Sequence, residues 1–336
     1  MQRPLRVIQY GVGPIGARIV RLILEKPALQ IVGAVDIDPA KAGRDLGDVA
    51  EVGRQLGVVV SRDAGSVLQA GADVLVHCTS SYLEEVADQL LQCLEAGIHI
   101  VSTCEELAYP FRKHPELSQR LDRCAREHQV ALVGTGVNPG FTMDKLVLTL
   151  AAAAVRVDSA RAVRIVDAAK RRLPLQKKIG AGMTVEEFNR QVAAGVIKHH
   201  GLPESVAMVA DGLGLAVDEI TESIQPVVAK KPVQTEYLAV APGQVAGVHQ
   251  IARGQSGGRD KVYLELQMYV GAEAPSDSVE LTGEPNLRLT VPGGIHGDLA
   301  TAAVAVNCIP AIVEAKPGLR TARDIPMCFL PGKTTS

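Results

Sequence analysis

Hydrophobic positions change period at short intervals along the first part of the chain. Leu5 to Tyr10 form an apolar run of strand length. The run breaks at Gly11-Val12-Gly13-Pro14-Ile15-Gly16, and apolar residues return with helical spacing at Ile19, Val20, Leu22, Ile23 and Leu24. Further apolar runs at 30–35, 58–60, 72–79, 98–102 and 130–134 are separated, from the third onward, by helical stretches at 64–69, 83–96 and 116–128. Strands and helices in alternation predict an α/β fold built on a doubly wound parallel sheet.

From Ser159 the pattern is different. A strand is expected at 160–168 and helices at 184–195 and 203–212, followed by longer alternating segments at 223–232, 244–254, 261–270 and 287–291. Val262, Leu264, Leu266, Met268 and Val270 alternate with Tyr263, Glu265, Gln267 and Tyr269, the pattern of a half-buried antiparallel strand. These segments predict a second, α+β open-sheet domain. After the turn Pro292-Gly293-Gly294, an alanine-rich helix over 297–314 is expected to return to the first domain. The expected division is a nucleotide domain at 1–141, a substrate and oligomerisation domain at 142–295, and a returning segment at 296–336.

Composition narrows the partners. The chain has 336 residues, 47% of them hydrophobic and 21% charged, with a net charge of −2. That balance argues for a soluble protein with ordinary cores and against binding to nucleic acid or an acidic membrane surface. No apolar run is long enough to span a bilayer and no signal peptide precedes the first strand, so a cytoplasmic location is expected. The six cysteines include no CxxC pair, which favours reduced thiols over zinc or disulfides, and no metal site is expected. Aromatic residues are only 3%, so the cores must be built from Val, Ile, Leu and Ala, as in a parallel sheet covered by helices.

The glycine turn carries the first chemical expectation. Gly11 permits the tight turn, Gly13 leaves bare backbone for a pyrophosphate, and Gly16 lets the helix pack closely on the strand. Pro14 and Ile15 begin that helix, whose N-terminal N–H groups suit phosphate. Asp36 ends the second apolar run, twenty residues after Gly16, where an acid accepts hydrogen bonds from the adenosine ribose. NAD is therefore the expected cofactor. Lys41 and Arg44 leave NADP open; they either meet a 2′-phosphate or lie in a solvated loop.

Ligands of open parallel sheets bind beyond the carboxyl ends of the strands. That rule selects Cys78, Thr79 and Ser80, then Ser102 and Thr103, then Asn138, whose amide suits the nicotinamide carboxamide. Each tip also has a plain reading as a helix cap or a turn. Glu105 and Glu106 follow the fifth strand. They either cap a helix start or place a carboxylate by the nicotinamide, where desolvation would raise its pKa toward base duty. A substrate pocket is expected from Phe141, Met143, Ile179, His199, His200, His296 and Thr301.

The strand-tip series resembles oxidoreductases related to dihydrodipicolinate reductase and homoserine dehydrogenase. Over nearly its full length the chain resembles the family of 2,4-diaminopentanoate dehydrogenase and the native amine dehydrogenases. The resemblance lies in VIQYGVGPIG (7–16), VDIDPAKAGRDLG (35–47), STCEELAYP (102–110), GTGVNPGF (134–141), LQKKIGAGMTVEEF (175–188), GLPESVAMVADGLG (201–214) and PGGIHGDLATAAVAVNCIP (292–310). It implies a Rossmann domain and reversible oxidation of an amine to a ketone or aldehyde plus ammonia, with NAD or NADP as hydride carrier. It also implies a homodimer and a catalytic glutamate in the STCEEL stretch, with Glu106 preferred over Glu105. Three other readings stand beside it: 2,4-diaminopentanoate dehydrogenase proper, a reductase of cyclic C=N or C=C bonds like dihydrodipicolinate reductase, and a non-enzymatic NAD sensor, for which no partner-binding element is seen.

Overall fold

The computed structural model describes residues 3–171 and 173–332. The chain divides into two compact units, one formed by Met1–Phe141 with His296–Ser336 and the other by Thr142–Ile295. In the first unit the elements are β1 (Leu5–Tyr10), α1 (Pro14–Leu24), β2 (Leu29–Val35), α2 (Leu46–Val49), β3 (Val60–Ser61), α3 (Ala64–Gln69), β4 (Val74–His77), α4 (Leu83–Glu95), β5 (His99–Ser102), a 3₁₀ turn (Glu105–Ala108), α5 (Pro115–Glu127) and β6 (Ala131–Gly134). In the second unit they are α6 (Lys145–Ala151), β7 (Arg156–Asp167), α7 (Leu173–Lys178), α8 (Val185–Ala193), α9 (Leu202–Leu213), β8 (Glu219–Val228), β9 (Val233–Gln234), β10 (Ala239–Val240), β11 (Val245–Ser256), β12 (Arg259–Tyr269), β13 (Ser276–Glu284) and β14 (Leu287–Pro292). The chain then completes the first unit with α10 (Gly297–Val313) and β15 (Gly318–Arg320).

The helices start where their sequences direct. Asp45, Asp63 and Thr184 cap α2, α3 and α8 through their side chains, and Pro begins α1 and α5, where a missing N–H costs nothing. The first unit is a parallel sheet in the order β15-β6-β5-β4-β1-β2-β3. Helices α1 and α10 cover one face, where Ile19, Ile23, Ala305, Val306 and Ile309 pack on Val7, Val74, Val76, Val101 and Val133. Helices α3, α4 and α5 cover the other, with Leu83, Leu90, Leu94 and Leu121 over Ile8, Leu75, Ile100 and Leu132. Strand order reverses between β1 and β4, which opens a crevice at their carboxyl ends.

The second unit holds a six-stranded sheet in the order β14-β13-β7-β12-β11-β8, with the hairpin β9–β10 apart from it. This sheet is mixed, where the alternating pattern alone suggested antiparallel pairing. β12 runs parallel to β7 from Val262↔Ala160 to Tyr269↔Asp167. The long path through α7, α8 and α9 supplies the crossover that a parallel pair requires. Helices α6 and α9 cover one face, on Ala162, Ala252, Leu264, Leu266 and Val279. The opposite face carries Arg161, Val163, Ile165, Ile251, Arg253, Tyr263, Glu265 and Glu280, with the Tyr263 ring between the guanidinium groups of Arg161 and Arg253. No helix among the described residues is long and apolar enough to cross a membrane.

Candidate active site

The glycine turn is built as its sequence requires. Gly11 has φ +86°, and a Cβ there would fall 2.5 Å from the Cys78 carbonyl oxygen. A Cβ at Gly16 would fall 2.0 Å from the Gly11 oxygen, so strand and helix can close only on glycine. At Gly13 a Cβ would meet nothing within 4 Å. That is open space over bare backbone at the start of α1, whose N-cap, Gly13, has no side chain to spend on the helix. This turn fits a pyrophosphate.

Asp36 is buried beside it and accepts from the Val12 N–H (2.7 Å), the Asp38 N–H (2.9 Å) and Lys41 Nζ (3.0 Å). Burial alone would raise its carboxyl, but these donors outweigh burial and hold it below the usual range. Lys41 therefore stands against Asp36, the acid expected at the ribose, while Arg44 is exposed and reaches the Ala40 carbonyl.

The β4 and β5 tips interlock. The Thr103 N–H donates to the His77 carbonyl, and the Cys104 N–H donates to Ser102 Oγ at 3.1 Å. Ser102, expected to touch cofactor, has no exposed surface; its hydroxyl is spent on Cys104 and His77, beneath the tip. Thr79 stands over the glycine turn, with its methyl 3.1 Å from where a Gly11 Cβ would be. Ser80 donates to Glu85. The Cys78 thiol is pushed up to about 11 by burial and is no nucleophile at neutral pH.

The paired acids part company. Glu106 is 3% exposed, and its carboxylate accepts from the Leu83 N–H (2.8 Å), His114 Nε2 (3.0 Å) and Lys113 Nζ. Burial pushes its pKa up, but the donors together push it further down, so the rise expected from desolvation is reversed here. The sequence reading missed Lys113 and His114 because they reach Glu106 from the loop before α5 and from its N-cap. Glu105, one residue earlier, opens the 3₁₀ turn and is partly exposed.

At the β6 tip, Asn138 is 7% exposed, and neither its side-chain oxygen nor its nitrogen has a partner. Thr135 N donates to the Ser102 carbonyl, so this tip sits beside that of β5. A buried amide with donor and acceptor both unmet complements another amide, which offers one of each. The glycine turn, Asp36 and Asn138 thus fit a nicotinamide dinucleotide.

The expected pocket residues separate. Phe141, His296 and Thr301 lie in the first unit: His296 caps α10 and Thr301 accepts the Val137 N–H at 3.4 Å. Met143 and Ile179, in the second unit, are buried in its cores. Met143 packs with Leu202 and Leu264, and Ile179 with Phe188 and Val245, because both sit on the inward side of their segments. His199 exchanges backbone hydrogen bonds with the Gln250 side chain, and its Nδ1 is buried without a partner. Burial first, then the charges of Lys178, Arg164 and His200, lower its pKa to about 3, so its ring is neutral. His200 is half-buried next to it.

Residues 141–331 match the 2,4-diaminopentanoate dehydrogenase C-terminal domain, and residues 5–104 match the dihydrodipicolinate reductase N-terminus. The chain is 31% identical to a 2,4-diaminopentanoate dehydrogenase of Acetoanaerobium sticklandii, over 96% of this chain and 94% of that protein. It is 25% identical to an amine dehydrogenase of Streptomyces virginiae, over 96% of each. Among solved structures it is similar to an amine dehydrogenase from Mycobacterium smegmatis, with TM-score 0.84, 32% identity, and coverage of 98% of this chain and 97% of that one.

Proposed function

Because the chain belongs to the 2,4-diaminopentanoate dehydrogenase family and is a nicotinamide-dependent oxidoreductase acting on amines, we propose a division of labour among its strand tips. Glu105 is the carboxylate that meets the amine, and Glu106 is the fastening beneath it. This moves the catalytic role one residue back from the sequence preference. Glu106 is 3% exposed and its carboxylate already holds a helix N–H, an imidazole and an ammonium, whereas Glu105 is partly exposed at the start of the turn.

The reaction in the oxidative direction converts a protonated amine, water and oxidised cofactor to a carbonyl compound, ammonium, reduced cofactor and one proton. When bound, a nicotinamide would supply the acceptor for the hydride on the carbon that bears nitrogen. Glu105 first takes the proton that frees the amine from its ammonium form and passes it to solvent. Its restored negative charge then favours the iminium that follows; it accepts a proton from the water that adds and returns it to the nitrogen, which leaves as ammonium. In the reverse direction the same oxygen binds ammonia and returns the proton.

Asn138 is assigned to the carboxamide, Thr79 and Thr103 to the nicotinamide ribose, Gly11 to Gly16 to the pyrophosphate and Asp36 to the adenosine ribose. NAD is the preferred cofactor and NADP is accepted, because Lys41 offsets the repulsion between Asp36 and a 2′-phosphate. We also infer that two copies associate through the open sheet face of the second unit, where half-buried Val163, Ile165 and Ile251 lie among charges of both signs. Six cysteines, none in a disulfide among the described residues, suit a reducing cytoplasm.

The observation that carries this reading is the unpartnered, buried Asn138 amide beside the acidic β5 tip. Its test is oxidation of NADH and NADPH with ammonium and a panel of ketones and aldehydes, together with cofactor affinity. Asn138→Ala should weaken cofactor binding about 10-fold or more. Unchanged affinity, or a wild type that turns over without ammonium, would count against it.

A further inference from the structure

His77 ends β4 with no exposed surface, and none of the roles above uses it. Its ring bridges two strand tips. Nδ1 lies 3.0 Å from the Ser102 hydroxyl, while Nε2 lies 2.9 Å from the Gln89 side-chain oxygen on α4 and 2.9 Å from Thr79 Oγ1. Thr79 donates to the same Gln89 oxygen at 3.0 Å, and Ser102 Oγ accepts the Cys104 N–H at 3.1 Å.

With the Gln89 oxygen facing the ring, these donors and acceptors close in one way. An amide oxygen cannot donate, so the proton between Gln89 and His77 belongs to Nε2. A neutral imidazole protonated at Nε2 has a bare Nδ1, which accepts from the Ser102 hydroxyl. Burial, opposed only in part by the Gln89 hydrogen bond, lowers the ring's pKa to about 4. The other ring against it is Tyr10 on β1, with centroids 5.5 Å apart, and burial raises that phenol's pKa, so no charge faces the imidazole there.

We propose that His77 is a positioning residue that locks the cofactor-side tip at Thr79 to the acid-bearing turn beginning at Cys104, through a single Nε2–H tautomer. The Thr79 hydrogen is spent on Gln89, so its side chain is held in one orientation, with its methyl toward the glycine turn. The Ser102 hydroxyl, pinned by the ring, holds the Cys104 peptide from which Glu105 departs. Each tip is thereby set by the other. This inference rests on the assignment of the two tips made above.

Two substitutions divide the ring. His77→Gln places an amide group near Nε2 and keeps the Gln89–Thr79 side while giving up Ser102; His77→Asn reaches only the Ser102 side. His77→Gln should lower kcat about 10-fold with cofactor KM changed less than about 3-fold, and His77→Asn should raise cofactor KM about 10-fold with the smaller loss in kcat. Losses in fixed proportion for both variants, or losses that merely follow the melting temperature, would overturn the proposal. Wild-type enzyme without cofactor provides a second reading that needs no variant. Nitrogen NMR of labelled histidine should show an Nε2–H ring that does not titrate between about pH 5.5 and about pH 8.5. An Nδ1–H ring, or titration in that range, would overturn it. Neither the NMR reading nor cofactor affinity measured by fluorescence depends on amine turnover, so failure of the amine reading would be seen separately, in the ketone and ammonium assay.

Discussion

Replacing each acid of the Glu105–Glu106 pair by glutamine should produce two different defects. In Glu106→Gln the remaining oxygen can still accept the Leu83 N–H, but the new amide nitrogen turns a donor toward Lys113 or His114. The Lys113 side chain is 51% exposed, so water takes much of its place and that pairing contributes little. The His114 and Leu83 contacts are buried and charge-assisted, and losing part of them costs about 2 kcal/mol, a fall of about 4–8 °C in Tm for a unit of this size. Because Glu106 is held below its ordinary pKa in the fold, its charge contributes stability in full above the unfolded value of about 4.3, and this is lost as pH falls through the folded value. The Tm gap between wild type and Glu106→Gln should therefore be steady from about pH 6 to about pH 8 and close below about pH 4.

Glu105→Gln should leave Tm within about 2 °C and lower the rate of reductive amination about 100-fold or more, since it removes the charge that favours the iminium. The assay is calorimetry beside steady-state kinetics with saturating cofactor. A stable but inactive Glu106→Gln, with an active Glu105→Gln, would refute the division and return the base to Glu106. Full activity in both would remove the carboxylate mechanism altogether.

Two further outcomes follow from the contacts described. Lys41→Ala should lower kcat/KM for NADPH about 10-fold while changing that for NADH less than about 2-fold, because it removes the cation that offsets Asp36; equal losses for both cofactors would show that Lys41 only fixes the loop. Light scattering at micromolar concentration should give twice the chain mass, and Ile251→Glu, which buries a charge at the centre of the open sheet face, should give the monomer; a monomeric wild type would remove that interface.

The parts legible in the sequence were those where backbone geometry restricts residue type. Only glycine passes at 11 and 16, so the turn could be read before any contact was known. The returning helix α10 was legible from its composition and the Gly-Gly turn before it. The parallel pairing of β7 with β12 was not, since alternation reports which face is wet and says nothing of a neighbour's direction. β13 and β15 escaped because one is rich in polar residues and the other is three residues long. The role of Glu106 depends on donors drawn from α4 and α5, and His77 on Gln89 and Ser102, so neither could be read from local spacing.

The insertion of the second unit into the first has a consequence during synthesis. Residues 1–141 leave the ribosome with six of the seven strands and α1, but without α10, the second helix on that side of their sheet. Val76, Val101 and Val133 lack that cover until Ala302, Val306 and Ile309 emerge, more than 150 residues later. Through that interval the nascent nucleotide half is a sticky, unfinished layer, competing with aggregation and attractive to holding chaperones. The second unit, whose residues are contiguous, can complete its own sheet in the meantime. The half made first is therefore the half that finishes last.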